Sequence, residues 1–141
     1  MDYSIIKLKT ALHPDSRYGG LCFFEGERDI PFAIKRIYFI FHTEEGIRRG
    51  FHAHKETCQL LFCPHGAIDI LLDDGRERQI VTLDDPSTGL LLSSCLWREM
   101  IWKQTDSVLC VAASTCYDEA DYIRDYDAFL RYVGAKDAPA E

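Results

Sequence analysis

The chain has 141 residues, 47% hydrophobic and 12% aromatic, which describes one domain with a real core and excludes a disordered segment. Lys and Arg number 16 against 23 Asp and Glu, for a net charge of −7, so the broad basic footprint of a nucleic-acid binder is missing. A few local arginines can still grip a diphosphate inside an acidic protein.

The N-terminus, MDYSIIKLKTAL, is too short and too polar for a signal peptide or a membrane span. IKLKT within it alternates in part. Pro31 stands before FAIKRIYFIFH, Phe32 to His42, a run rich in β-branched and aromatic residues that Glu44-Glu45-Gly46 breaks. RGFHAH and QLLFC follow, up to a turn at Pro64-His65-Gly66. AIDILLDDG ends on Asp74-Gly75, a hairpin signal. RQIVTL closes at DDPSTG, and GLLLSSCLW leads to SVLCVAAST. Short strands with turns this frequent predict an all-β sandwich or barrel.

Helical spacing enters only after residue 117. Tyr122, Tyr126, Phe129 and Val133 recur at three- and four-residue intervals. They predict a C-terminal helix from about Glu119 to about Arg131, ended by Gly134. A single domain over residues 1–134 and a flexible tail over 135–141 follow. Cys22, Cys58, Cys63, Cys95, Cys110 and Cys116 lie in apolar runs without a Cys-x-x-Cys pair, which predicts buried free thiols in a reducing cytoplasm.

The chemistry concentrates in RRGFHAHK, Arg48 to Lys55. Residues i and i+2 of a strand share a face, so His52 and His54 project together. Metal binding and acid–base work both suit such a pair. Barrel metal sites of the cupin type follow His-x-His with a Glu four or five residues on, a Gly six further, and a histidine from a later strand. Gly66 is in place here, but Gln59 stands where the Glu belongs and LLLSSCLW has no histidine. A neutral amide is a poor ligand for a divalent cation, and a catalytic metal needs about three protein ligands. Metal therefore takes second place.

Taken together, DSRYGGL, IPFAIKRIYFI, RGFHAHK, QLLFCPHGAIDILLDDG, the Trp97 region and YDEADYIRDYDAF resemble the cupin-fold nucleotide-sugar 3,4-ketoisomerases. The resemblance implies a jelly roll with a short C-terminal helix. It implies a metal-free, cofactor-free shift of the ketone of dTDP-4-keto-6-deoxyglucose from C4 to C3. It also implies a dimer, often with exchanged N-terminal strands.

Such a reaction removes the proton at C3, passes through an enediol and delivers a proton at C4, work suited to histidine. His52 and His54 match the family's two motif histidines, with His54 preferred as the base at C3. Tyr38 matches a family tyrosine near the sugar. Arg49 and Arg36 are candidates for the diphosphate or a sugar oxygen, and Arg36 shares a strand face with Tyr38. Gln59 would hydrogen-bond a histidine or a sugar hydroxyl. Trp97 and Trp102 would pack on the thymine or fill the core. Arg17 belongs to a block that departs from the family pattern, because Tyr18 intervenes. The acidic residues Asp118, Glu119, Asp121, Asp125 and Asp127 read as a solvated helix face, with Asp118 or Glu119 near its N-cap. A 3,5-epimerase, a metal-dependent cupin and a sugar-binding cupin without chemistry are the competing readings.

Overall fold

The computed structural model describes residues 1–137. In chain order the strands begin with β1 (Tyr3–Lys7), β2 (Lys9–Leu12), β3 (Gly20–Phe23) and β4 (Arg36–Ile40). Next come β5 (Arg48–His54), β6 (Gln59–His65), β7 (Ile68–Asp73) and β8 (Arg78–Leu83). The last are β9 (Thr88–Leu92), β10 (Trp97–Trp102), β11 (Val108–Ala113) and β12 (Tyr122–Ile123), followed by helix α1 (Tyr126–Asp137).

Two five-stranded sheets face each other. One runs β1-β9-β6-β11-β4 and the other β12-β5-β10-β7-β8, while β2 and β3 form a separate hairpin. Every strand pairing is antiparallel. The expected all-β jelly roll is what forms. Strand alternation builds the core: Ile68, Ile70 and Leu72 of β7 are fully buried against Leu61, Leu90 and Val111 from the other sheet. The Asp74-Gly75 turn joins β7 to β8 as predicted, with Gly75 at φ +94°. Three strands went unforeseen. Arg98 and Glu99 interrupt the apolar pattern of β10, and β2 and β3 are exposed throughout.

The C-terminal helix forms, but it starts at Tyr126 rather than near Glu119 and continues past Gly134 to Asp137. The cause is the cap. The Asp125 carboxylate accepts the Ala128 N–H at 2.9 Å, which opens the helix there. Residues 119–121 instead make a 3-10 turn, capped by Asp118 through the Ala120 N–H. Tyr122 and Ile123 then pair with β5. The expected tail overlaps the end of the helix, and residues 138–141 lie outside the described residues. Phe129 is fully buried against Ala53, Trp97 and Ile123, which fastens α1 to the outer face of the second sheet. No disulfide joins the six cysteines among the described residues, but only Cys63 is buried, while Cys22 and Cys116 are exposed.

Candidate active site

The site begins with a bulge. β5 pairs with β10 so that His52 faces Arg98 while Gly50 faces Glu99, which leaves Phe51 without a partner. Gly50 has φ +94° and Phe51 φ +54°. A side chain at residue 50 would strike Met100 Sδ at 2.5 Å, so glycine is needed there. Phe51 is exposed, and His52 and His54 turn into the barrel with ring centroids 5.0 Å apart. The co-facial pair is thus as expected.

Arg98 lies directly across from His52 and is fully buried. Its guanidinium donates to the Leu96 carbonyl at 2.9 Å and 3.1 Å, and to Gln59 Oε1 at 2.5 Å on the facing sheet. The Gln59 amide in turn donates to the Tyr38 hydroxyl at 3.3 Å. A buried charge paired this way tells on its neighbours. Burial first, and Arg98 second, push His52 down to about 3 and His54 down to about 4. Both imidazoles are therefore neutral at pH 7. Burial pulls Arg98 itself down to about 10, still a cation. Burial raises the Tyr38 phenol above its ordinary value, so it stays a hydrogen-bond donor.

The two histidines differ in their partners. His54 Nδ1–H donates to Asp121 Oδ2 at 2.8 Å. His54 Nε2 and both nitrogens of His52 are buried without a hydrogen-bond partner among the described residues. Buried polar atoms in this condition are available to a ligand atom or a water. The Tyr122 ring touches both imidazoles, 5.1 Å from His52 and 4.4 Å from His54 between centroids.

A cavity of about 410 Å³ opens in front of His52. Arg36, Tyr38, Arg49, Tyr117, Tyr122 and Arg124 line it. Arg36 and Tyr38 point inward from alternate positions of β4, and the Arg36 guanidinium donates to the Tyr122 hydroxyl at 3.3 Å. Arg124 stacks over the Tyr122 ring at 4.3 Å and pairs with Glu119 at 2.6 Å. Three arginines around one cavity suit an anion, and neutral imidazoles suit proton transfer.

His52, His54, Tyr38, Arg36, Arg49 and Gln59 thus gather at or behind this cavity. Two predicted residues do not. Trp97 neighbours Arg98 on β10 and so faces the opposite way, stacking on Tyr126 and Phe129 beneath α1. Arg17 sits on the outer hairpin, with its side chain 84% exposed and tied to Asp15. Sequence reasoning missed Arg98, Asp121, Tyr122 and Arg124 as site residues. Arg98, Met100 and Trp102 share one strand parity, which was the available sign that Arg98 points inward. Asp121 was read as part of a solvated face, yet its side chain is only 11% exposed.

A jelly roll with paired inward histidines and an arginine-lined mouth defines a cupin-type enzyme site. The chain belongs to the FdtA family: the model described as WxcM-like, C-terminal, matches residues 1–134. It is 45% identical over 133 residues to the TDP-4-oxo-6-deoxy-α-D-glucose-3,4-oxoisomerase of Aneurinibacillus thermoaerophilus, covering 94% of each chain. The sugar 3,4-ketoisomerase QdtA from Thermoanaerobacterium thermosaccharolyticum, solved with TDP, matches at 40% identity with TM-score 0.90, over 96% of this chain and 97% of that one. A histidine-to-asparagine variant of QdtA was solved with TDP-4-keto-6-deoxyglucose and matches at TM-score 0.91 and 39% identity, covering 97% of both chains. The epimerase ChmJ of Streptomyces bikiniensis, at 19% identity, TM-score 0.73 and coverage of 85% and 67%, shares the fold alone.

Proposed function

We propose that the protein moves the keto group of dTDP-4-keto-6-deoxyglucose from C4 to C3 by proton transfer through an enediol. One observation carries the reading. Two neutral, buried imidazoles offer bare ring nitrogens beside an arginine-lined cavity, in a chain 45% identical to a 3,4-oxoisomerase.

His52 lines the cavity, whereas His54 is enclosed behind it and held by Asp121. We therefore assign His52 as the base that takes the C3 proton and returns a proton at C4, the reverse of the preference drawn from sequence. His54 moves the proton between the sugar oxygens, and the Tyr38 phenol steadies the enediolate oxygen as a donor. Arg36 and Arg49 hold the diphosphate. An anionic substrate offsets the Arg98 charge and lifts both imidazoles toward a working range.

The donor set supports a reaction without metal. Gln59 Oε1 is committed to Arg98, Asp121 is committed to His54, and the Arg98 cation sits where a metal ion would be repelled. No group of three or more metal-ligating side chains occurs among the described residues.

The reading extends to a cytoplasmic homodimer with exchanged N-terminal strands. Among the described residues, no helix is long and apolar enough to cross a membrane. Leu12, Leu21 and Phe23 on the β2–β3 hairpin are exposed, as are Ile37 and Phe39 on edge strand β4, which is apolar surface suited to a second copy. Light scattering that gives a mass near 16.2 kDa would refute the dimer.

Incubation with dTDP-4-keto-6-deoxyglucose in deuterated water tests the reaction. NMR should show a 3-keto product carrying deuterium at C4. Binding without exchange would mean a binder, and exchange with the ketone still at C4 would mean an epimerase.

A further inference from the structure

The motif YDEADYIRDY has a function beyond folding the C-terminus. We propose that Asp121 is a positioning residue: its carboxylate fixes the ring and tautomer of His54, leaving Nε2 as the atom that meets the substrate. The proposal deepens the isomerase reading and rests on it for the identity of the substrate only.

The geometry is directional. Asp121 Oδ2 accepts from His54 Nδ1–H at 2.8 Å, and a carboxylate cannot donate in return. The proton must therefore sit on Nδ1, and Nε2 keeps its lone pair. Free imidazole has no such constraint, so the carboxylate makes the choice.

Asp121 is itself immobilised. The Thr57 hydroxyl donates to Oδ2 at 2.5 Å, and the Glu56 N–H donates to Oδ1 at 2.7 Å. Thr57 has committed its proton, so the Thr115 hydroxyl donates to Thr57, at 2.6 Å. The backbone of the same residue is clamped as well, since the Lys55 N–H donates to the Asp121 carbonyl at 2.9 Å. Burial would raise the Asp121 carboxyl, but the bonds from Thr57, His54 and Glu56 outweigh it and hold the group below its ordinary value. Asp121 is an anion throughout the working range.

The charge has a use. His54 faces Arg98, Arg36 and the neighbouring His52, with Tyr122 on its ring face. The cations and the burial disfavour an imidazolium, and Asp121 favours it. His52 has no hydrogen-bonded carboxylate among the described residues. The pair is therefore asymmetric, with one ring aligned by the substrate and one pre-aligned by the protein.

Nitrogen-15 NMR of the imidazoles in the wild-type protein reads the tautomer directly and needs no substrate. His54 should be neutral with the proton on Nδ1. A proton on Nε2 with Nδ1 bare would overturn the proposal, whatever reaction the protein performs. Asp121→Asn should release that tautomer and lower kcat at least about thirtyfold with KM within about threefold. Thr57→Val keeps the carboxylate and loses one of its anchors. It should keep the Nδ1–H tautomer, with kcat down by less than about tenfold and the same pH profile as wild type. A folded Asp121→Asn protein with wild-type tautomer and kcat would also overturn the proposal. So would a Thr57→Val protein that loses the tautomer, because thermal melting then separates loss of fold from loss of alignment.

Discussion

Burying two neutral histidines makes stability depend on pH, and the dependence can be worked from the site. In the unfolded chain each imidazole titrates near 6.5, whereas in the folded site His52 titrates near 3 and His54 near 4. Above pH 6.5 both are neutral in either state and neither alters the balance. Below it the unfolded chain takes up protons that the folded protein refuses, so stability falls with falling pH. The loss continues to about pH 4 for His54 and about pH 3 for His52. At pH 5 the folded values no longer matter much. Each histidine then costs about 1.5 pH units of linkage, or ~2 kcal/mol, and the pair ~4 kcal/mol.

Urea unfolding at pH 7.5 and pH 5.0, at one protein concentration, measures this. Carboxylates with lowered values, such as Asp121, Asp74 and Asp85, titrate below this window in both states. They do not blur the comparison. His52→Asn isolates half of the effect, because His52 has no hydrogen-bond partner among the described residues and its removal strands no donor. The variant should lose ~2 kcal/mol of the pH dependence and keep the rest. In thermal melts the wild-type difference should be roughly 10 °C. A wild-type stability that is flat from pH 7.5 to 5.0, or a His52→Asn protein with the full wild-type slope, would refute neutral burial of the pair.

Catalysis and fold give three further tests. His52→Asn and His54→Asn should each lower turnover at least about a hundredfold, as the loss of a general acid–base group does, and two near-wild-type rates would sink the assignment. Arg36→Met should raise KM about tenfold, or ~1.4 kcal/mol, with a smaller change in kcat, because the role proposed for the guanidinium is on the anionic part of the substrate. An unchanged KM would place the diphosphate elsewhere. Gly66→Ala should destabilise by about 3 kcal/mol without touching the site: residue 66 has φ +95°, and an added Cβ would lie 2.0 Å from the buried Ser107 Oγ. Chemical denaturation at pH 7.5 reads it, and a loss under about 1 kcal/mol would contradict the close packing there.

The strands were legible because their rule is local. Alternation in RGFHAH placed His52 and His54 on one face, and the structure keeps them there despite the bulge, because Gly50 and Phe51 absorb the extra residue before the pair begins. Arg36 and Tyr38 followed from the same parity, and Asp74-Gly75 from turn chemistry. The helix start was misplaced because two aspartates compete as caps: Asp118 caps only a 3-10 turn, and Asp125 opens the helix.

The partners of Arg98 and Asp121 were illegible for a deeper reason. A charged residue in a sequence reads as surface, because isolated burial is prohibitive. What makes both affordable is partners far away in the chain. Gln59 lies 39 residues from Arg98, and His54 lies 67 residues from Asp121. Local pattern carries no trace of such pairs. Yet these two charges set opposite biases on one of the two imidazoles that the sequence did reveal: Arg98 disfavours the charged form of His54 and Asp121 favours it. The histidine pair announces that protons move here. Which ring is poised, and in which tautomer, is decided by residues that only the folded chain brings to it.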